Sequence, residues 1–196
     1  MPHAVIGIGS NSTRLLIAHL TEGRVMPVQR MREGTRLFSG LSDGALSAET
    51  MLRTADAAAR FARIARDEGC EQIHLIATSA ARDAKNGEAF CDLVMSLTGL
   101  PLHIISGREE ARLSFLGAAG NGYCGMVDIG GGSTELAVSG GGRPLQAASA
   151  QLGAVRLLGE MPDLSGEGFE EALGLAVARV REIWEPMAVR EAPGAW

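Results

Sequence analysis

At 196 residues, 46% hydrophobic and 21% charged, the chain is long and apolar enough to bury a core, as one large domain or two small ones. That balance excludes a disordered protein. A net charge of −5 argues against a general nucleic-acid or membrane-surface binder, so any bound anion must be held by local groups.

The basic residues are almost all arginine, and Lys85 is the sole lysine, which limits the lysine-dependent mechanisms open to the chain. Cys70, Cys91 and Cys124 are odd in number and widely spaced. They suit reduced thiols in a cytoplasmic protein, not a disulfide frame or a zinc site. The start, MPHAVIGIGS, has no charged region followed by a long apolar run, so no export signal is expected. No segment approaches the ~20 apolar residues of a membrane span.

In chain order, HAVIGIG suits a buried strand, and RLLIAHLTEGRVMPVQRMR suits two strands about a turn at Glu22-Gly23. Helical spacing of Leu52, Ala55, Ala59, Ala62 and Ala65 predicts a helix begun by Ser47 and ended by Gly69. QIHLIAT is then a strand, NGEAFCDLVMSLTG a helix, LPLHIIS a strand and GREEARLSFLGAAG a helix. The pattern restarts with three strands in YCGMVDIG, STELAVSGGG and PLQAASAQLG, and a helix in GEGFEEALGLAVARVREIWEPM. The order is βββαβαβα followed by βββα. Gly and Asn cluster at residues 118–125, which places the boundary there and gives domains 1–119 and 120–196.

The two halves share a motif. VDIGGGSTELAV, starting at Val127, aligns with IGIGSNSTRLLI, starting at Ile6, so that Asp128 falls on Gly7 and Ser133 on Ser12. Glycine-rich turns between strands gather backbone N–H groups that bind anions, and glycine lets a ligand approach the backbone. Ser12, Thr13, Ser133 and Thr134 add hydroxyls. Two such turns on facing domains would grip a phosphate from both sides. A single turn would be an ordinary glycine hairpin; the aligned pair favours function. A P-loop needs a lysine absent from both turns, and a dinucleotide fingerprint enters a helix, whereas these turns enter strands.

Asp128, beside the triple glycine, would repel bound phosphate unless a cation lay between them, which suggests Mg²⁺; its plain reading is a carboxylate accepting turn N–H bonds. Glu135 either shares the metal role or is solvated. Ser106 and Glu109 form a capping box, so Glu109 is structural. Glu110 is free of that duty and could act as a general base, or could simply favour the helix N-terminus. Arg82 follows a strand and is either a phosphate ligand or a surface arginine. The four histidines show no ligand spacing.

At these residues the chain resembles the exopolyphosphatase / guanosine pentaphosphate phosphohydrolase family, of the actin-like superfamily. The matching stretches are GSNSTRLLI, ATSAARDAKNGEAF, ISGREEARL, VDIGGGSTELAV and LGAVRL, in family order over nearly the whole chain. The resemblance implies two ribonuclease-H-like α/β domains facing across a cleft, the second incomplete. It implies Mg²⁺-dependent removal of a terminal phosphate from polyphosphate or guanosine pentaphosphate. The family's catalytic glutamate falls on Glu110. Metal ligation falls on Asp128 and Glu135, and phosphate contacts fall on Ser10, Asn11, Ser12, Arg82, Gly130, Gly131, Gly132 and Ser133.

There are two departures. The family usually has IDIGSNS where this chain has IGIGSNS, so Gly7 stands where a carboxylate is usual. The family also continues into a further Gly-Gly-Thr loop and the rest of the second domain. An incomplete domain would expose a strand edge and a helix face, which leaves room for a homodimer or aggregation. The alternative function is a non-catalytic phosphate-binding or regulatory module. A kinase or ATPase would need an adenosine-binding motif that is not seen.

Overall fold

The computed structural model describes residues 1–118, 124–140, 143–163 and 165–187. By its contacts the chain forms two compact units, Met1–Ile105 and Ser106–Trp196.

The first unit opens with β1 (Pro2–Ile8), β2 (Thr13–Thr21) and β3 (Arg24–Glu33), an antiparallel meander. The predicted turn at Glu22-Gly23 has both residues at positive φ, 51° and 75°, as a two-residue hairpin with matching twist requires. A 3-10 turn (Leu37–Gly40) and the two-residue strands β4 (Leu41–Ser42) and β5 (Ala45–Leu46) lead to α1 (Ala48–Asp67). The Ser47 hydroxyl accepts the Thr50 N–H at 3.3 Å, and Gly69 turns left-handed after the helix, both as expected. Then come β6 (Gln72–Ala77), the single turn α2 (Ser79–Arg82), α3 (Gly87–Thr98) and β7 (Leu102–Ile104). The sheet order is β3-β2-β1-β6-β7, with β6 parallel to β1 and β7 parallel to β6. Alternation puts Ile6, Ile8, Leu15 and Ile17 in one core with Ala55, Ala58, Phe61, Phe90 and Val94 from α1 and α3.

The second unit holds α4 (Gly107–Ala118), β8 (Cys124–Ile129), β9 (Thr134–Gly140), β10 (Arg143–Ala150), α5 (Ala154–Glu160) and α6 (Gly166–Trp184). Its sheet, β10-β9-β8, is again an antiparallel meander. The expected boundary at 119/120 falls outside the described residues. The predicted helix before it, α4, packs on β8, β9 and β10 and so groups with the second unit.

The registers confirm the internal repeat. Gly7 pairs with Arg14 across β1 and β2, as Asp128 pairs with Glu135 across β8 and β9. The surroundings differ. Ile6 and Ile8 on β1 are buried, whereas their counterparts Val127 and Ile129 on β8 are 54% and 71% exposed. β1 is paired on both sides, whereas β8 is the edge of its sheet among the described residues. Val127, Ile129, Leu136, Val180 and Trp184 line part of an open apolar hollow of about 630 Å³ between this sheet and the helices α5 and α6.

Candidate active site

Strand alternation gives the second sheet two chemically different faces. Val127, Ile129, Thr134 and Leu136 face the apolar hollow. The opposite face carries a row of directly paired residues: Asp128 on β8, Glu135 on β9 and Ser149 on β10. The helix α4, which packs on all three strands, carries Glu110 and Ser114, one turn apart on one side of the helix. The Ser114 hydroxyl donates to Asp128 Oδ2 at 3.0 Å, and the Ser149 hydroxyl donates to Glu135 Oε1 at 2.7 Å.

These acids differ in solvation. Asp128 is exposed, Glu110 half-buried and Glu135 only 2% exposed. Burial pushes the Glu135 carboxyl up to about 7, and the Glu110 charge adds to this. The Ser149 and Ser133 hydroxyls pull in the other direction, and Asp128 raises it slightly further. Three carboxyls are therefore brought close together on this face of the sheet. That arrangement suits a bound cation.

The helix start gives the two adjacent glutamates different backbone partners. Ser106 Oγ accepts the Glu109 N–H at 3.2 Å, so the capping pair read from the sequence forms through Ser106 and the Glu109 backbone. The Glu110 N–H bonds the Ser106 carbonyl at 2.9 Å, which fixes its backbone in the first turn.

The glycine-rich turn lies at the end of the same strands. Gly130 N–H closes it on the Ser133 carbonyl at 2.9 Å, as Gly9 N–H closes the first turn on Ser12 at 3.0 Å. Its carbonyls are then taken from one side. Gly130 accepts Ala154 N–H at 3.0 Å, Gly131 accepts Val155 and Arg156 N–H at 2.8 and 3.0 Å, and Gly132 accepts Arg156 Nε at 2.7 Å. In a trans peptide the next N–H points opposite the carbonyl. The N–H groups of Gly131, Gly132 and Ser133 are thus turned away from α5, as a group suited to an anion. In the first unit the Ser10 and Asn11 carbonyls are taken by Phe38 and Arg36, which turns the N–H groups of Asn11 and Ser12 outward in the same manner.

The structure refines several expected contacts. Gly130 spends its N–H inside the turn, so its part there is conformational. Ser10 and Ser12 are buried, and Asn11 is exposed. Arg82 ends α2 and donates from a guanidinium N–H to the Ile105 carbonyl at 3.0 Å, within the first unit.

Two residues important to the turn lie within the matched LGAVRL stretch but were not singled out from sequence. A Cβ at Gly153 would lie 2.5 Å from the Gly131 carbonyl and the Gly132 nitrogen, so only glycine lets α5 close on the turn. Arg156, from the first turn of α5, ties down Gly132. The signal was present: a glycine just ahead of a short apolar run with one arginine.

Among the described residues no group of three or more His, Cys, Asp or Glu is set to hold a metal. Mg²⁺ commonly takes only one or two carboxylates and fills its shell with water and substrate phosphate. Asp128 and Glu135, adjacent oxygen donors beside the glycine-rich turn, fit that demand. The thiols offer nothing comparable: burial, then Glu68, raises the Cys70 thiol, and burial leads the same shift at Cys91. The four histidines lie on four different strands, β1, β2, β6 and β7.

The sequence model of the Ppx/GppA phosphatase family matches residues 16–190. Among solved structures, the chain is similar to an exopolyphosphatase-like protein, with 31% identity and a TM-score of 0.84 over 94% of this chain and 61% of that one. It is similar to the PPX-GPPA enzyme of Aquifex aeolicus, with 26% identity and a TM-score of 0.76 over 95% of this chain and 64% of that one. It is also similar to an exopolyphosphatase from Cytophaga hutchinsonii, with 25% identity and a TM-score of 0.75 over 82% of this chain and 53% of that one. The chain therefore spans between 53% and 64% of the length of these relatives.

Proposed function

The chain belongs to the Ppx/GppA phosphatase family, with its ribonuclease-H-like, actin-like α/β architecture, and on that premise we propose that it hydrolyses a terminal phosphoanhydride of inorganic polyphosphate or guanosine pentaphosphate. The observation that carries this reading is the cross-strand row Asp128–Glu135 beneath Glu110, at the end of a turn whose N–H groups are turned outward.

The turn amides of Gly131, Gly132 and Ser133 bind the terminal phosphate and orient it. Within the first unit, Ser10, Asn11, Ser12 and Arg82 are the residues we assign to phosphate contact. Glu110 takes a proton from a water as that water attacks the terminal phosphorus. The bond to the bridging oxygen breaks, the shortened chain leaves with that electron pair, and inorganic phosphate is released. Asp128 and Glu135 would hold Mg²⁺, which when bound neutralises charge on the phosphate oxygens. No helix among the described residues is long and apolar enough to cross a membrane.

Glu110→Gln tests the assignment. It keeps the size of the side chain and removes the base, so phosphate release from polyphosphate should fall by 10²–10⁴-fold with the circular dichroism spectrum unchanged. Unchanged turnover would reject Glu110 as the base. Tight polyphosphate binding by the wild-type chain without any release would instead favour a phosphate-binding module.

A further inference from the structure

Glu135 is held in an unfavourable place. It is 2% exposed, sits directly between two residues on its neighbouring strands, and feels the negative charges of Glu110 and Asp128. A carboxylate so placed is pushed away from the other acids unless something anchors it. Two hydroxyls do so, Ser149 at 2.7 Å and Ser133.

The two anchors are not equivalent. A serine hydroxyl has one proton to donate. Ser133 lies in the glycine-rich turn, and a proton given to Glu135 is not available to a phosphate oxygen. Ser149 lies on β10, directly across from Glu135 in the ladder and 14 residues further along the chain. A strand position is set by backbone hydrogen bonds, so this hydroxyl stays in place whatever the turn binds.

Resting on the function proposed above, we infer that Ser149 is a positioning residue that holds Glu135 toward Asp128 while the Ser133 hydroxyl turns to the substrate phosphate. Ser149 does not touch substrate in this scheme. It acts through Glu135 alone, as outer partners of metal-ligating carboxylates do.

The test compares two β-branched replacements of nearly the same shape, in the full chain. Ser149→Thr keeps the hydroxyl and Ser149→Val removes it. Ser149 is half-buried and on a strand, where either side chain is well accommodated. Mn²⁺ binding is read by electron paramagnetic resonance without substrate, and phosphate release from polyphosphate is resolved into kcat and KM.

Ser149→Thr should bind Mn²⁺ within about twofold of wild type. Ser149→Val should bind it about tenfold more weakly and lose kcat with little change in KM, while both variants melt at similar temperatures. In Ser133→Ala, which has already lost one anchor, Ser149→Val should cost more than it does in the wild type. Equal Mn²⁺ affinity of the Thr and Val variants would overturn the role of Ser149 and leave the proposed function standing. A wild-type chain that binds no Mn²⁺ and releases no phosphate would overturn both. Should the Val variant not fold, Ser149→Ala gives the same comparison with wild type.

Discussion

Replacing Glu135 by Gln should change how the second unit's stability depends on pH. The carboxyl moves from an ordinary 4.5 to about 7 on folding. The folded chain therefore keeps this proton between about 4.5 and 7, where the unfolded chain has released it. Stability falls as pH rises through that window and is level above it. At about 1.4 kcal/mol per pH unit, a move of that size places roughly 3 kcal/mol against the folded form at pH 8. Gln matches the protonated carboxyl in shape and can still accept from Ser149, but it never ionises. The variant should equal wild type at pH 4.5 and exceed it by about 3 kcal/mol at pH 8. The assay is urea unfolding at half-unit pH steps, followed by the fluorescence of Trp184, which lies in the second unit. A difference curve that is flat with pH, or that rises toward acid, would refute the burial and charge-crowding account. Saturating Mg²⁺ at pH 8 should stabilise wild type more than the variant, since a cation offsets the same repulsion.

Other consequences follow from the turn and from the repeat. Gly153→Ala would drive a Cβ into the Gly131 and Gly132 backbone at 2.5 Å; it should cost about 1–3 kcal/mol, seen as a lower urea midpoint, and should weaken phosphate binding measured by calorimetry. Ile8→Ala, at a buried site, should cost about 2–5 kcal/mol, whereas the equivalent Ile129→Ala, at a 71% exposed site, should change stability by no more than about 0.5 kcal/mol and reduce the binding of a hydrophobic dye.

Much of this architecture could be read from local pattern. The alternation in HAVIGIG and TRLLIA located the first core strands, and the aligned GSNST and GGGST turns located the repeat. Ser47, Gly69 and Gly99 marked helix ends that the structure keeps. What escaped was held by distant partners. The short pair β4 and β5 is braced by Asn86, whose side chain bonds both the N–H and the carbonyl of Leu46 at 2.8 and 2.9 Å, across 40 residues of sequence. The helix α5 is only seven residues long and begins where its N–H groups meet the Gly130 and Gly131 carbonyls. Neither leaves a periodic trace in sequence. The acid row was half legible. Asp128 and Glu135 were singled out separately, but their direct pairing, and Ser149 beside them, emerges only from strand register.

The repeat also explains why only one copy of the motif carries acid. Both copies place three residues in a row across a meander. In the second unit the row is Asp128, Glu135 and Ser149; in the first it is Gly7, Arg14 and Arg32. In the first unit Arg14 and Arg32 stay exposed, and the glycine leaves open space beside them. In the second unit α4 lies over the row, buries Glu135 and adds Glu110. Water screens the arginine row, so it stabilises or destabilises little. In the acid row Glu135 is desolvated, and the Glu110 and Asp128 charges add to that, so its carboxyl moves by more than two pH units. One backbone thus supplies two anion-suited turns, while the residues beside each turn decide what else it can hold. A cation has reason to bind only where the acids are crowded and water is excluded. On the function proposed above, that asymmetry favours the second copy as the place where a cation would bind.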